Sequence, residues 1–260
     1  MEHELLLEIL SKPFFEESLL QEGNFNNLLS IDVTKFRDFL RFNEQEILIR
    51  PFMNTINYLT YDEIKEISNI YFSKHGLHKD AYTNKVKAYG LEICRFLYRN
   101  KKPKWLLDIM KYDYILFSQI WLYESKHLEK PALMYTEKPY SPCAAQAYKL
   151  SNYCKLGRFS FNIELYIDNP VKNDILRNQS VDTYLVFIGN FKLPSVQIKK
   201  LEKPSYYLLK FCIMPKTEYQ IVSFLRDNFF PNLPDAVKIS SHLIELLRDW
   251  KILEKVDNIS

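Results

Sequence analysis

The sequence predicts an α+β protein: an all-helical N-terminal domain over residues 1–129, a linker over 130–155, and a smaller domain over 156–260. The smaller domain carries a roughly three-stranded sheet and a helical, winged-helix-like tail. Three observations lead there. Between Asp80 and Trp121 apolar residues recur at three- and four-residue steps, the spacing of helices that bury a stripe. From Phe159 to Ile167 they alternate with Ser160, Asn162, Glu164 and Tyr166, the period of a strand with one buried face. Only 5 glycines stand beside 18 phenylalanines and 18 tyrosines, so core material is ample and phosphate-cradling turns are scarce. A dinucleotide-binding fold is disfavoured accordingly.

In the first domain, Glu4 to Leu10 reads as a short helix, followed by a docking arm around Pro13-Phe14-Phe15 and a polar turn from Gln21 to Asn27. Asp32 or Thr34 caps a helix that starts near Lys35 and runs toward Arg50, where Pro51 kinks or restarts it. Thr60 and Glu63 have the spacing of a capping box, and Ile64, Ile67, Ile70 and Tyr71 form the buried side of the helix that follows. Tyr82, Val86, Tyr89, Ile93, Phe96 and Leu97 make one stripe, which ends at the basic elbow Asn100 to Pro103. Trp105, Leu106, Ile109, Tyr112, Ile115, Leu116, Ile120 and Trp121 cover more than one face, so this helix is packed from several sides. Asp108 and Asp113 do not lie one turn apart, which points to solubility or an interdomain salt bridge and not to paired-carboxylate chemistry.

Pro131, Pro139 and Pro142 mark the linker, within which Ala144 to Leu150 reads as a helical turn. After the strand Phe159 to Ile167, Asp168-Asn169-Pro170 is a stop, and Thr183 to Ile188 with Ser195 to Leu201 reads as a hairpin. Three strands are the simplest count. Ser205, Thr217-Glu218 and Asp235 open three tail helices, ending at Phe211, Phe229 and Trp250, with a short strand at Ile252 to Glu254.

The net charge of +3 is small, and lysines are interspersed with acids, which disfavours strong nonspecific nucleic-acid binding. No segment reaches membrane-spanning length and the chain opens Met1-Glu2-His3-Glu4, so a soluble, cytoplasmic protein without a membrane partner is expected. Cys94, Cys143, Cys154 and Cys212 are widely spaced and read as buried free thiols, although Cys143 and Cys154 fall close enough to meet in a loop. His75 and His78 lack further ligands nearby, and no nucleophile elbow or Walker loop occurs. Neither catalytic nor metal-ligating residues are assigned.

A resemblance adds to this reading. Leu40-Arg41-Phe42-Asn43, then Pro51 to Thr55, the helix from Thr60, a tyrosine at Tyr71, Tyr89-Gly90-Leu91 and Pro103 to Asp108 follow one another in the order found in the N-terminal domain of HvfC-like proteins. That family is labelled DNA-binding. Met110 and Asp113 depart from its usual alanine and longer acid. With the sheet and helical tail behind it, the whole order resembles the MbnC-like partner proteins of methanobactin biosynthesis. The resemblance implies a noncatalytic subunit that pairs with a multinuclear non-haem iron oxygenase (MbnB-like) and holds the leader of a ribosomally made precursor peptide. The iron belongs to the partner enzyme, which converts peptide cysteines to oxazolone and thioamide groups, and no cofactor is expected on this chain.

On that reading Arg158, Phe159, Phe161, Ile163 and Leu165 form a peptide-binding edge strand, with Lys155, Lys192 and Lys199 nearby to favour an acidic leader. Coverage of both sheet edges by other parts of the chain is the plain alternative. Trp105, Tyr112 and Trp121 are the aromatic candidates for the enzyme interface. The other function class is a winged-helix DNA-binding regulator, which would present Lys238, Ser240, Ser241, His242 and Arg248 from the last helix.

Overall fold

The computed structural model describes residues 33–76, 81–128, 147–168, 181–189, 195–231 and 236–256. They fall into two units: residues 33–114 with Ile163–Asp168, and residues 115–162 with those from 181 onward. The expected arm and polar turn near the N-terminus, Cys143, His78 and Lys192 lie outside the described residues, as do most of the linker and the stop after Asp168.

The first unit is helical. Helix α1 (Val33–Ile49) gives way at Pro51 to a 3-10 turn (Arg50–Phe52) and the short α2 (Met53–Ile56). Helix α3 (Tyr61–His75) opens on the expected capping box: Thr60 Oγ1 accepts from the Glu63 N–H at 3.3 Å, and Glu63 accepts from the Thr60 N–H at 2.9 Å. Helix α4 (Tyr82–Arg99), the start of α5 (Lys104–Leu128) and the six-residue α6 (Ile163–Asp168) complete the unit. Its core is the predicted stripe, with Val86, Tyr89, Ile93 and Leu97 of α4 buried along with Phe52, Ile67, Leu106 and Ile109. The α3–α4 pair is tied by a buried Ser68–Tyr89 hydroxyl contact at 2.9 Å and by Glu92, which accepts from Lys74 at 2.9 Å and Arg95 at 2.6 Å. Burial alone would raise the Glu92 carboxyl, but those two cations outweigh it and hold the group below its ordinary range.

Helix α4 ends in a Schellman motif: the Lys101 N–H donates to Tyr98 and the Lys102 N–H to Leu97, with Lys101 at φ 49°. The last helix ends the same way at Lys251, φ 57°, where Ile252 donates to Leu247. Both left-handed positions hold lysine where glycine is at ease. Lys101→Gly and Lys251→Gly are each expected to stabilise the protein by about 1 kcal/mol, read as a higher denaturant midpoint with an unchanged m-value.

The second unit contains two antiparallel three-stranded sheets. In one, β3 (Thr183–Gly189) lies between β2 (Cys154–Phe159) and β4 (Val196–Leu201), so the expected hairpin is present and β2 and β4 are its edges. Every residue of β3 is buried. Tyr184, Val186 and Ile188 share a core with helices α7 (Lys203–Phe211), α8 (Glu218–Phe229) and α9 (Ala236–Asp249). On the alternate positions Leu185 and Phe187 are buried with Phe159, and Gln119 donates to the Phe187 carbonyl at 3.3 Å. Gly157 lies there because an added Cβ would meet Phe159 ring carbons at 2.6 and 2.7 Å.

The other sheet has the order β5–β1–β6, from β5 (Lys216–Thr217), β1 (Ala147–Leu150) and β6 (Leu253–Val256). Helix, strand, two helices and strand from α7 to β6 make the winged-helix-like tail, with β1 inserted between β5 and β6 from far upstream. Thr217 caps α8 as expected, its hydroxyl accepting from the Gln220 N–H at 3.3 Å.

Four expectations are corrected. The strand placed at Phe159 to Ile167 stops at Phe159, and Ile163–Asp168 is helix α6. Ile163 and Ile167 are four residues apart, a spacing that serves one face of a helix as well as alternate positions of a strand. Ala147 to Leu150 is strand β1, not a helical turn, because it pairs with both β5 and β6. Six strands occur among the described residues where three in the sheet and one in the tail were expected. Helix α7 starts at Lys203 behind Glu202, ahead of Ser205, with Pro204 in its first turn where a missing N–H costs nothing.

Candidate functional site

The edges of the β2–β3–β4 sheet are the places where backbone groups of a regular ladder face away from it. Along β2, Lys155 and Arg158 are exposed. Arg158 is already engaged: its guanidinium donates to Asp182 at 3.0 Å and to the Tyr207 hydroxyl at 3.4 Å, and the Asp182 partner raises its already high pKa further. Tyr184 donates to the same Asp182 carboxylate at 3.1 Å. Phe159 ends β2 and is fully buried, so its ring belongs to the core.

The remaining candidates from the sequence are not on that edge. Phe161 lies half-buried in the bend after β2, and Ile163 is the buried first residue of α6, as the helix there requires. Leu165 is in the same helix. Two of the five proposed peptide-contacting residues, Arg158 and Phe159, therefore belong to an edge strand.

Strand β4 forms the opposite edge and is more open. Gln197 and Lys200 are exposed, while Val196, Ile198 and Lys199 are half-buried. Register places Gln197, Lys199 and Leu201 opposite Ile188, Val186 and Tyr184, and Val196, Ile198 and Lys200 opposite Gly189, Phe187 and Leu185. The Lys199 ammonium sits 3.9 Å from the centre of the Trp250 ring, which fixes a cation beside the edge. From Val196 to Thr217 five lysines (Lys199, Lys200, Lys203, Lys210 and Lys216) stand against Glu202 alone, a net +4 that exceeds the +3 of the whole chain. Sequence reasoning named only Lys199 of this group; a windowed charge count would have found the rest.

Trp105 is half-buried, edge-on to Tyr58 at 4.9 Å, and Tyr112 is buried at 8 % exposure. Both belong to the first unit; Trp121 lies on the later part of α5, in the second. Asp113 is neither a solubility residue nor an interdomain pair. It is buried inside the first unit, accepting from the Asn54 amide at 2.6 Å, the Thr55 N–H at 2.9 Å and the Thr55 hydroxyl at 2.7 Å.

Cys154 and Cys212 are buried thiols, as expected, and burial pushes both up to about 12, whereas Cys94 is only half-buried. His75 stacks on Tyr71 at 4.9 Å. Among the described residues no three His, Cys, Asp or Glu side chains converge as metal ligands, and no helix is long and apolar enough to cross a membrane.

The last helix fits a DNA groove poorly. Ser240 is fully buried, Ser241 donates to Glu218 at 3.3 Å, and the exposed positions mix Lys238, His242 and Arg248 with Val237, Ile239, Glu245 and Asp249. The two strands that a wing hairpin would join, β1 and β6, lie about a hundred residues apart in the chain. No protein-family model and no curated protein sequence matches the chain.

Proposed function

We propose that this chain is a noncatalytic partner subunit, cytoplasmic, that holds an acidic, extended leader peptide along the outer edge of β4 while a separate multinuclear iron oxygenase modifies the peptide's cysteines. The observation that carries it is an edge strand with two lysines, Lys199 and Lys200, at the head of a segment, Val196 to Thr217, of net +4 on a chain otherwise near balance. Main-chain hydrogen bonds would supply affinity, and Lys199 and Lys200, on opposite faces of the edge, would select acids. The oxygenase and the methanobactin-type chemistry rest on the resemblance of the helical domain and the element order. Tethering explains why such a subunit is useful: a retained leader raises the effective concentration of the core peptide at the iron site.

Coexpression with a candidate multinuclear iron oxygenase, followed by size exclusion and metal analysis, tests the pairing. Coelution with iron is the expected result. Separate elution, together with salt-sensitive binding to one duplex DNA sequence, would replace this reading with a winged-helix regulator. For the edge, Lys199→Glu with Lys200→Glu is expected to weaken the precursor leader at least tenfold, about 1.4 kcal/mol, in fluorescence anisotropy, with the chain still folded by circular dichroism. The pair Lys155→Glu and Arg158→Glu on β2 is the control; a larger loss there would move the peptide to the other edge.

A further inference from the structure

Helix α4 carries a second apolar stripe that its core does not use. Val86, Tyr89, Ile93, Phe96 and Leu97 face the interior, whereas Ala88, Leu91 and Cys94 continue around the helix at steps of three residues. With Met110 and Tyr114 of α5 they line an open groove of about 510 Å³, which also takes in Asn84, Lys87 and Gly90. Leu91 is 49 % exposed and Tyr98, one step beyond Cys94 on the same side of α4, is 81 % exposed. Large apolar side chains held open on a helix face mark an interaction surface when they are contiguous.

The charges around the groove say what fits it. No acidic side chain lines it, and its one ionisable residue besides Cys94 and Tyr114 is Lys87. At the elbow that joins the two helices, Lys101 and Lys104 are exposed. A symmetric pairing of two copies across this face would set lysines against lysines. A partner with acids at both ends of an apolar stripe would meet them favourably.

We propose that the α4–α5 groove is the docking site for an amphipathic helix of another protein, with apolar anchors at three- and four-residue steps and acidic residues flanking them. From Ala88 to Tyr98 the stripe extends about 15 Å along α4, room for roughly three turns of a partner helix. Leucine-type anchors would enter between Leu91 and Met110, and the flanking carboxylates would pair with Lys87 at one end and the elbow lysines at the other. The site lies wholly on the helical unit and does not depend on peptide binding at the sheet.

The test uses the full chain and two synthetic labelled helices with the same leucine stripe, one with glutamates and one with lysines at all other positions. In fluorescence anisotropy the acidic helix is expected to bind at least tenfold more tightly than the basic one. Leu91→Glu should remove that binding, Lys87→Glu should weaken it severalfold, and Tyr61→Glu, at a residue 75 % exposed on α3, should leave it unchanged. Equal binding of the two helices, or binding indifferent to Leu91→Glu, overturns the proposal. So does a concentration-dependent dimer of the unliganded chain that Leu91→Glu dissociates, because the groove would then serve self-association.

Discussion

Asp113→Ala is expected to destabilise the first unit by about 3 kcal/mol, since it strands the Thr55 N–H, the Thr55 hydroxyl and the Asn54 amide beneath α5. The carboxylate holds the start of α2, where orphan N–H groups are normally left without partners. Burial pushes this carboxyl up to about 6 from an ordinary 3.8, and the three donors temper that rise without cancelling it. The folded chain thus keeps its proton more firmly than the unfolded chain between those two values. The contribution of Asp113 to stability is largest below pH 4 and falls as pH rises toward 6, by on the order of 3 kcal/mol in all. Asp113→Asn removes that slope. Denaturant unfolding of both proteins at pH 4 and pH 7 measures it: the advantage of the native aspartate over asparagine should shrink at the higher pH, and a constant difference would show that the carboxyl does not titrate in this window.

Gly157→Ala should cost the second unit about 2 kcal/mol. In an ordinary strand this exchange gains a fraction of a kcal/mol, because glycine surrenders more backbone freedom on folding. Here the new methyl would sit 2.6 Å from a Phe159 ring carbon and 3.1 Å from a Phe187 one, and both rings are fully buried. Steric overlap outweighs the entropy gain. A fall of roughly 4–8 °C in melting temperature is the expected reading. A rise would mean that Phe159 can swing out of the core.

Much of the fold was legible because its signals are local. The capping threonines Thr60 and Thr217, the break at Pro51, the α4 stripe and the β3–β4 hairpin all depend on residues within a few positions of one another. What was missed depends on distant partners. Strand β1 has four residues and no strong alternation, and its neighbour β6 lies about a hundred positions later, so nothing nearby announces it. Asp113 looked like a surface acid because its three donors lie 58 and 59 residues upstream. At Ile163 the difficulty was ambiguity: four-residue spacing suits both kinds of element, and the ladder with β3 ending at Phe159 decides for helix. Of the candidate site, strand β4 was readable as one arm of a hairpin, but its place at a sheet edge was not, since pairing order is set by tertiary contacts.

The upstream origin of β1 also governs when the tail can assemble. Ser151, just past β1, bonds the Glu254 side chain across 103 residues of chain. A ribosome adding roughly 5–20 residues per second needs about 5–20 s to make that stretch. Until β5 is made, about 70 residues after β1, the central strand of the sheet has neither neighbour, and until β6 follows one of its edges stays open to pairing with other nascent chains. Closing so long a loop also places the step among the slow, non-local ones. Synthesis speed and early occupancy of that strand by a chaperone therefore bear on yield more strongly for this half of the molecule than for the helical half, whose contacts form as each hairpin emerges.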